Sequence, residues 1–342
     1  MIAFFPTFYP DELLYSTLAR YCAKAGYLKY QHISSDLYLQ NNIKPNVEFV
    51  NKFNRDAYKV ITKNISFEEI IMKHTMFPYY VRFLPKEEKH KALKEILIMS
   101  EAYYNTLPIP KKQMKRPLRY CPLCAKHDRE LHSETYWHRN HQLIGINKCE
   151  EHNCQLVNTE IMISSKASPT FVTAEEIIPI TEEPVFINNK TEERLVQFVT
   201  ELFQSEVNMD NDILVGDFLH SKMEGTKYLS SRGEMRNISL IHRDFVEHYK
   251  DVNYPYFKEL WQIQKVFTND RLNPFEVCML AMFLNVTVEE LKDMKLPEKS
   301  QYELFDEQVH ELHKQGLNYR QIAEKLNASY DFVKSIGRGR KS

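Results

Sequence analysis

Two short cysteine-containing pairs constrain this chain more than any other feature. In "RYCPLCAKHDRELHSETYWHRNHQLIGINKCEEHNCQL" (residues 119–156), Cys121 and Cys124 form a C-x2-C pair, and Cys149 and His152 form a C-x2-H pair after 24 intervening residues. A zinc ion prefers four soft or borderline ligands in a tetrahedron, and two pairs on two turns supply them with little strain. Four protein ligands leave no open coordination position, so the spacing predicts a structural Zn2+ rather than a hydrolytic one. Its binding would count towards folding, about 10–16 kcal/mol in small zinc peptides. Cys154 is an alternative fourth ligand, and His127, His132, His138 and His141 are less well spaced.

Three rival readings are weaker. C-x-x-C with an inner proline also occurs in thiol redox proteins. That reading needs a βαβ context, which is not evident, and leaves Cys149 and His152 without a role. A catalytic zinc with Glu134 as base lacks the H-E-x-x-H and H-x-E…P-C-x-x-C patterns. A metal-free segment is the third. Cys22 and Cys278 lie in apolar helical runs and read as inert core thiols. One cluster plus two scattered cysteines fits a reducing compartment with one metal site better than a disulfide framework. Trp137 and Tyr136 are expected to pack on the zinc knot.

The rest of the chain predicts a mostly α, multi-domain protein. Only 8 of 342 residues are glycine, so glycine-rich phosphate loops and tight hairpins cannot dominate. The formal net charge is -1, so any nucleic-acid contact must come from local patches. No run approaches the length of a membrane span. The start "MIAFFPTFYPDELLYS" is broken by Pro6 and Pro10 and has no basic leader, so no signal peptide is expected and the location is cytoplasmic. Pro10, Asp11 and Glu12 predict a first helical turn, with Gly26 as its stop. Ser34 and Ser35 predict the cap of a short helix through Leu37 and Leu39. Ser66 and Glu69 form a capping box for a helix that Pro78 ends, and another helix is expected near 86–104. Residues 160–190 read as short strands or irregular chain. Thr191, Asn273 and Thr287 read as N-caps of later helices, and 239–249 as an amphipathic one. His74 and His248 read as packed or surface histidines.

The last forty residues divide into three helices. The first turns Phe305, Val309 and Leu312 inward and stops at Gly316; the second buries Ile322, Ala323 and Leu326; the third, capped by Ser329, buries Phe332, Val333 and Ile336. Such a unit is the helix-turn-helix pattern, whose last helix enters the major groove of double-stranded DNA. Its groove-facing candidates are Ser329, Tyr330, Asp331, Lys334 and Ser335, with Arg338, Arg340 and Lys341 for phosphates or the minor groove. A proline-rich connector, "PIPKKQMKRPLRY", adds Lys111, Lys112, Lys115, Arg116 and Arg119 as a second basic patch, read equally as a solvated linker. The expected organisation is an N-terminal helical domain with a candidate helix-turn-helix (1–118), a zinc-finger module (119–160), a helical middle domain (161–300) and the terminal helix-turn-helix (301–342).

The opening "FFPTFYPDELLYSTLARY", the segment "HTMFPYYVRF" and the block "LRYCPLCAKHDRELHSETYWHRNHQLIGINKCEEH" together resemble the TniQ/TnsD proteins of bacterial transposons. The resemblance is strong over residues 1–156 and looser from 157 onward. It implies a non-enzymatic target-selection factor of Tn7-like transposition, acting at the bacterial nucleoid. Such a factor binds a DNA attachment site and recruits an AAA+ transposition ATPase, which brings the transposase. The alternative it implies is an adaptor that links an RNA-guided CRISPR effector complex to that ATPase. The family's zinc ligands correspond to Cys121, Cys124, Cys149 and His152. Glu150 stands where the family often has proline, which touches no ligand.

Overall fold

The computed structural model describes residues 2, 4–27, 30–40, 43–109, 116–163, 171–230, 235–252, 257–268 and 272–337. The chain opens with seven short helices: α1 Leu14–Lys24, α2 Tyr30–Leu37, α3 Arg55–Ile61, α4 Phe67–His74, α5 Phe77–Val81, α6 Lys86–Leu97 and α7 Tyr103–Thr106. Strand β1 Pro117–Tyr120 then leads into α8 Pro122–His132, a 3-10 turn Asn140–Gln142 and strand β2 Val157–Met162. The two strands pair antiparallel, with Arg119 opposite Asn158 and an irregularity between Pro117 and Arg119. Seven helices follow: α9 Ala174–Ile177, α10 Lys190–Gln204, α11 Val215–Ser221, α12 Ile238–His248, α13 Leu260–Thr268, α14 Pro274–Phe283 and α15 Val288–Lys292. The end is α16 Gln301–Lys314, α17 Tyr319–Lys325 and α18 Tyr330–Gly337. The fold is mostly helical, and no helix is long and apolar enough to cross a membrane among the described residues.

Capping chemistry places many of the boundaries. Ser66 accepts the Glu69 amide, Asn273 the Phe275 amide and Thr287 the Glu290 amide. Gly26 and Gly316 adopt φ of 68° and 93° just beyond α1 and α16. Elsewhere local signals were overridden. The helix expected from Pro10 begins at Leu14, because Asp11 turns left-handed at φ 53° and both acids face distant arginines. Ser34 lies inside α2 rather than at its cap, and its hydroxyl donates to the Gln40 carbonyl. Pro78 starts α5 instead of ending α4. Asn189, not Thr191, caps α10. The helix near 86–104 breaks after Leu97, where Met99 is left-handed at φ 53°.

The buried apolar residues from Ile2 to Met294 form one cluster, and Val309, Leu312, Ile322, Ala323, Val333 and Ile336 form a second, separate one in α16–α18. α1 sits deep in the first, with every residue from Leu14 to Cys22 buried. Two buried cations tie the N-terminal helices to the chain after α10. Arg82 donates to the carbonyls of Ser205 (2.6 Å) and Glu206 (3.3 Å), and Lys89 to those of Asn208 (3.0 Å) and Asn211 (3.2 Å). They satisfy carbonyls that a helix end and its loop leave open. Gly145, at φ 85°, lies so close to Phe275 that a Cβ there would meet the ring at 2.5 Å. This contact packs the turn before Cys149 against α14.

His74 belongs to this core and gives a pH test. Its ring stacks on Phe8 at 4.1 Å, and Nδ1 lies 2.8 Å from the Glu12 carbonyl, so Nδ1 carries the proton. Burial pushes its pKa down from 6.5 to about 4, against the pull of that carbonyl. The unfolded chain therefore binds the extra proton first. The contribution of His74 is complete above about pH 6.5 and is lost as pH falls towards 4, on the order of 3 kcal/mol. Urea unfolding between those limits should show this slope, and His74→Gln should flatten it.

Candidate metal centre and its clamp

Both ligand pairs sit on tight turns. Cys121 is the N-cap of α8, and its sulfur accepts the Cys124 amide at 3.4 Å. Pro122 follows at the first helical position, where a missing N–H costs nothing. The second pair lies on a knuckle closed by the Cys149 amide on the Cys154 carbonyl (2.8 Å) and the Asn153 amide on the Cys149 carbonyl (2.9 Å). Asn153 takes the left-handed position, φ 54°. The knuckle is backed by a bridge between Lys148 and Gln155.

These turns bring Cys121, Cys124, Cys149 and His152 together, with all four ligand atoms within 4.8 Å of one another. Cys124 Sγ lies 3.6 Å from Cys149 Sγ, and His152 Nδ1 lies 3.6, 3.3 and 3.7 Å from the sulfurs of Cys121, Cys124 and Cys149. A tetrahedral zinc with sulfur at about 2.3 Å and nitrogen at about 2.0–2.1 Å has edges of about 3.8 and 3.6 Å. The donor set fits such an ion in spacing and type. The three sulfurs cannot all ionise without a cation. Hydrogen bonds from Cys121 and Cys124 hold the Cys149 thiol well below its usual range, while bonding to Cys121 and Cys149 pushes Cys124 up. Cys154 Sγ lies 3.3 Å from Cys121 Sγ and stands outside the four-residue group. Among the other histidines, His138 pairs with Asp128 at 2.9 Å and His132 stacks on Tyr9 at 4.1 Å.

Residues 134–140 clamp this centre to α1. α8 ends at Ser133, left-handed at φ 63°, and the chain turns back. Glu134 then accepts from Arg20 Nε (2.9 Å), Lys24 Nζ (2.6 Å) and Tyr9 Oη (2.9 Å). Burial alone would raise this carboxyl, but Lys24, Tyr9 and Arg20 together hold it below its usual range. Arg20 is 4% exposed; it also reaches the fully buried Glu12 at 2.9 Å and lies 3.7 Å over the Tyr9 ring. The backbones bond directly as well: the Leu13 amide donates to the Trp137 carbonyl (3.0 Å) and the Arg139 amide to the Asp11 carbonyl (2.8 Å). Trp137 is fully buried, and its Nε1 donates to the Val172 carbonyl at 2.9 Å. Arg139 pairs with Asp11 at 3.1 Å and donates to the carbonyls of Met72 (3.0 Å) and Thr75 (3.2 Å), closing the end of α4. Glu134 thus serves as an ion-pair centre. The sequence reading missed this clamp; its one signal was Arg20, a charge inside the apolar run "LLYSTLARYC".

Residues 3–156 match the TniQ family model, a span that contains all four ligands and the whole clamp to α1. The first part of the chain is thus similar to the TniQ family, over somewhat less than half of the chain's length. It is also 28% identical over 158 residues to the transposon Tn7 transposition protein TnsD of Escherichia coli. That alignment covers 43% of this chain and 30% of the relative, so the chain spans less than a third of the relative's length.

The expected DNA-contact residues fall into three groups. Lys111, Lys112, Lys115, Arg338, Arg340 and Lys341 lie outside the described residues. Arg116 is engaged inside the TniQ domain, bidentate to Glu48 at 2.9 and 2.6 Å, and Tyr80 donates to the same carboxylate at 3.0 Å. Tyr330, Lys334 and Ser335 lie on α18, where Tyr330 and Ser335 are exposed and Lys334 is half-buried. Lys334 and Arg320 both lie over the Tyr330 ring, at 5.1 and 5.8 Å.

Two outcomes are expected. Freshly purified protein should hold about one metal equivalent per chain by elemental analysis, and chelation should lower its thermal stability, because the binding energy is folding energy. Arg20→Met should cost about 3–5 kcal/mol in urea unfolding, since it leaves the Glu12 carboxyl buried without its partner.

Proposed function

We propose that this protein is a DNA-binding target-selection factor of Tn7-like transposition, which reads an attachment site and recruits an AAA+ transposition ATPase and, through it, the transposase. The observation that carries this reading is the pairing of a TniQ domain, like that of a Tn7 transposition protein, with a terminal three-helix unit on its own small core. That unit has the helix-turn-helix order: α17 and α18 are joined by a short turn through Asn327 at φ 49°, and Ser329 accepts the Phe332 amide at 3.2 Å. The buried side of α18 is Val333 and Ile336, which leaves Ser329, Tyr330, Asp331 and Ser335 for base edges. Lys334 supplies charge for the backbone, and Arg338, Arg340 and Lys341 extend it.

In this reading the metal is zinc, held by Cys121, Cys124, Cys149 and His152. When bound it supplies a closed structural crosslink and no open position for chemistry. The chain's own residues do the rest: Cys121 caps α8, Glu134 and Arg20 lock the module to α1, and Arg139 fixes α4. The protein acts by positioning partners and has no catalytic step of its own.

Footprinting on chromosomal DNA beside the transposon should reveal one protected site. Lys334→Ala should weaken binding to every sequence and reduce the salt slope by about one, whereas Tyr330→Ala should cost about 1–3 kcal/mol of preference for the site. Salt-sensitive binding without sequence preference would overturn site reading and leave the adaptor to an RNA-guided complex in its place.

A further inference from the structure

The stretch after the metal module holds an apolar surface that neither the core nor the proposed DNA unit uses. Between Ile177 and Ile187, five large apolar side chains are exposed: Ile177, Ile180, Val185, Phe186 and Ile187, with Ile180 at 81% and Phe186 at 58%. The backbone beneath them is fastened. Arg129 donates to the carbonyls of Ile178 (2.7 Å) and Pro179 (3.0 Å), Tyr120 bonds Glu182, the Gln155 amide donates to the Val185 carbonyl (2.8 Å), and Lys148 bonds the Ile187 carbonyl. A segment held at so many points keeps its side chains outside for a reason other than slackness. Contiguous exposed apolar surface of this kind marks an interaction site.

Its backbone points to the kind of partner. Val185 and Ile187 both turn their carbonyls towards the metal hairpin. The carbonyls on either side of Phe186 are thus used, whereas among the described residues nothing pairs with the Phe186 amide. A free backbone amide flanked by exposed apolar side chains is a place where an added strand can pair. Charge narrows the choice. Residues 173–187, "TAEEIIPITEEPVFI", carry four glutamates and no lysine or arginine; Glu175 is paired with Arg129, while Glu176, Glu182 and Glu183 form no ion pair among the described residues. Phosphate backbone is repelled by such a surface. A second copy of this chain would set the same acids against each other, which an isologous pairing cannot avoid. The geometry points to a protein docking edge at residues 184–187 that takes an extended segment of a different protein, with β-branched or aromatic side chains alternating with lysine or arginine. This goes beyond the proposed function, which assigns no residue to a protein partner, and binding at the edge stands or falls without it.

The test uses the full chain and a fluorescent synthetic peptide, acetyl-Lys-Val-Lys-Val-Thr-Val-Lys-Val-Lys-amide, titrated by anisotropy at low salt. The peptide should bind saturably. A copy with alternate amides N-methylated should bind about tenfold more weakly, because it keeps the charge but cannot pair as a strand. A copy with glutamate for lysine should not bind. Phe186→Asp and Phe186→Ser, both at an exposed position, should each weaken binding about tenfold while metal content stays that of the parent protein. Absence of saturable binding, equal affinity for the N-methylated copy, or unchanged affinity in both variants would each overturn the proposal. So would a parallel loss of duplex DNA binding in the Phe186 variants, which would assign the surface to nucleic acid.

Discussion

A guanidinium buried almost completely has to be surrounded by counter-charge, and around Arg20 that requirement joins the first helix to the metal module. Its two carboxylate partners come from opposite directions: Glu12 from the turn before α1 and Glu134 from the return after α8. Removing Arg20 leaves the buried Glu12 carboxylate without a counter-charge in a low-dielectric site, which costs more than the pair itself contributes. Glu134 reaches Arg20 because α8 ends where it does, and α8 starts where Cys121 caps it. The Cys/His set and the ion network therefore meet through α8, which Cys121 caps at one end and whose other end leads into Glu134.

The ligand set was legible in the sequence because each half is local. Cys121 with Cys124, and Cys149 with His152, need only one turn each, and such turns follow from neighbouring residues. Caps at Ser66, Asn273 and Thr287 were legible for the same reason: donor and acceptor lie within three residues. The clamp was not. Arg20 and Glu134 are separated by 114 positions, Arg139 and Asp11 by 128, and no local pattern links them. The same distant partners explain the misplaced start of α1. Asp11 and Glu12 after a proline look like a first helical turn, yet both carboxylates are taken by arginines, and the helix waits until Leu14. Pro78 and Asn189 carry a different lesson. A proline is compatible with the first turn of the next helix, and an asparagine upstream of a threonine can take the cap first.

A net charge of -1 conceals a division of labour between surfaces. The segment over the metal module is acidic and apolar, whereas α18 presents Tyr330 with two cations over its ring. The two lie on different cores, so a change at one need not repack the other. Among the described residues a polar link joins those cores: Gln301 donates its amide to Glu224 at 2.7 Å, and its side chain crowds Gly225, where a Cβ would meet it at 2.7 Å. A polar joint of this kind adds little stability, since exposed contacts are weak. It joins the start of α16 to the chain after α11, and within the terminal unit Val309 and Leu312 share a core with Ile322 and Val333. Target selection in the proposed sense asks for that arrangement: a TniQ domain built around a Cys/His cluster and buried charge, followed by a small three-helix unit on a core of its own.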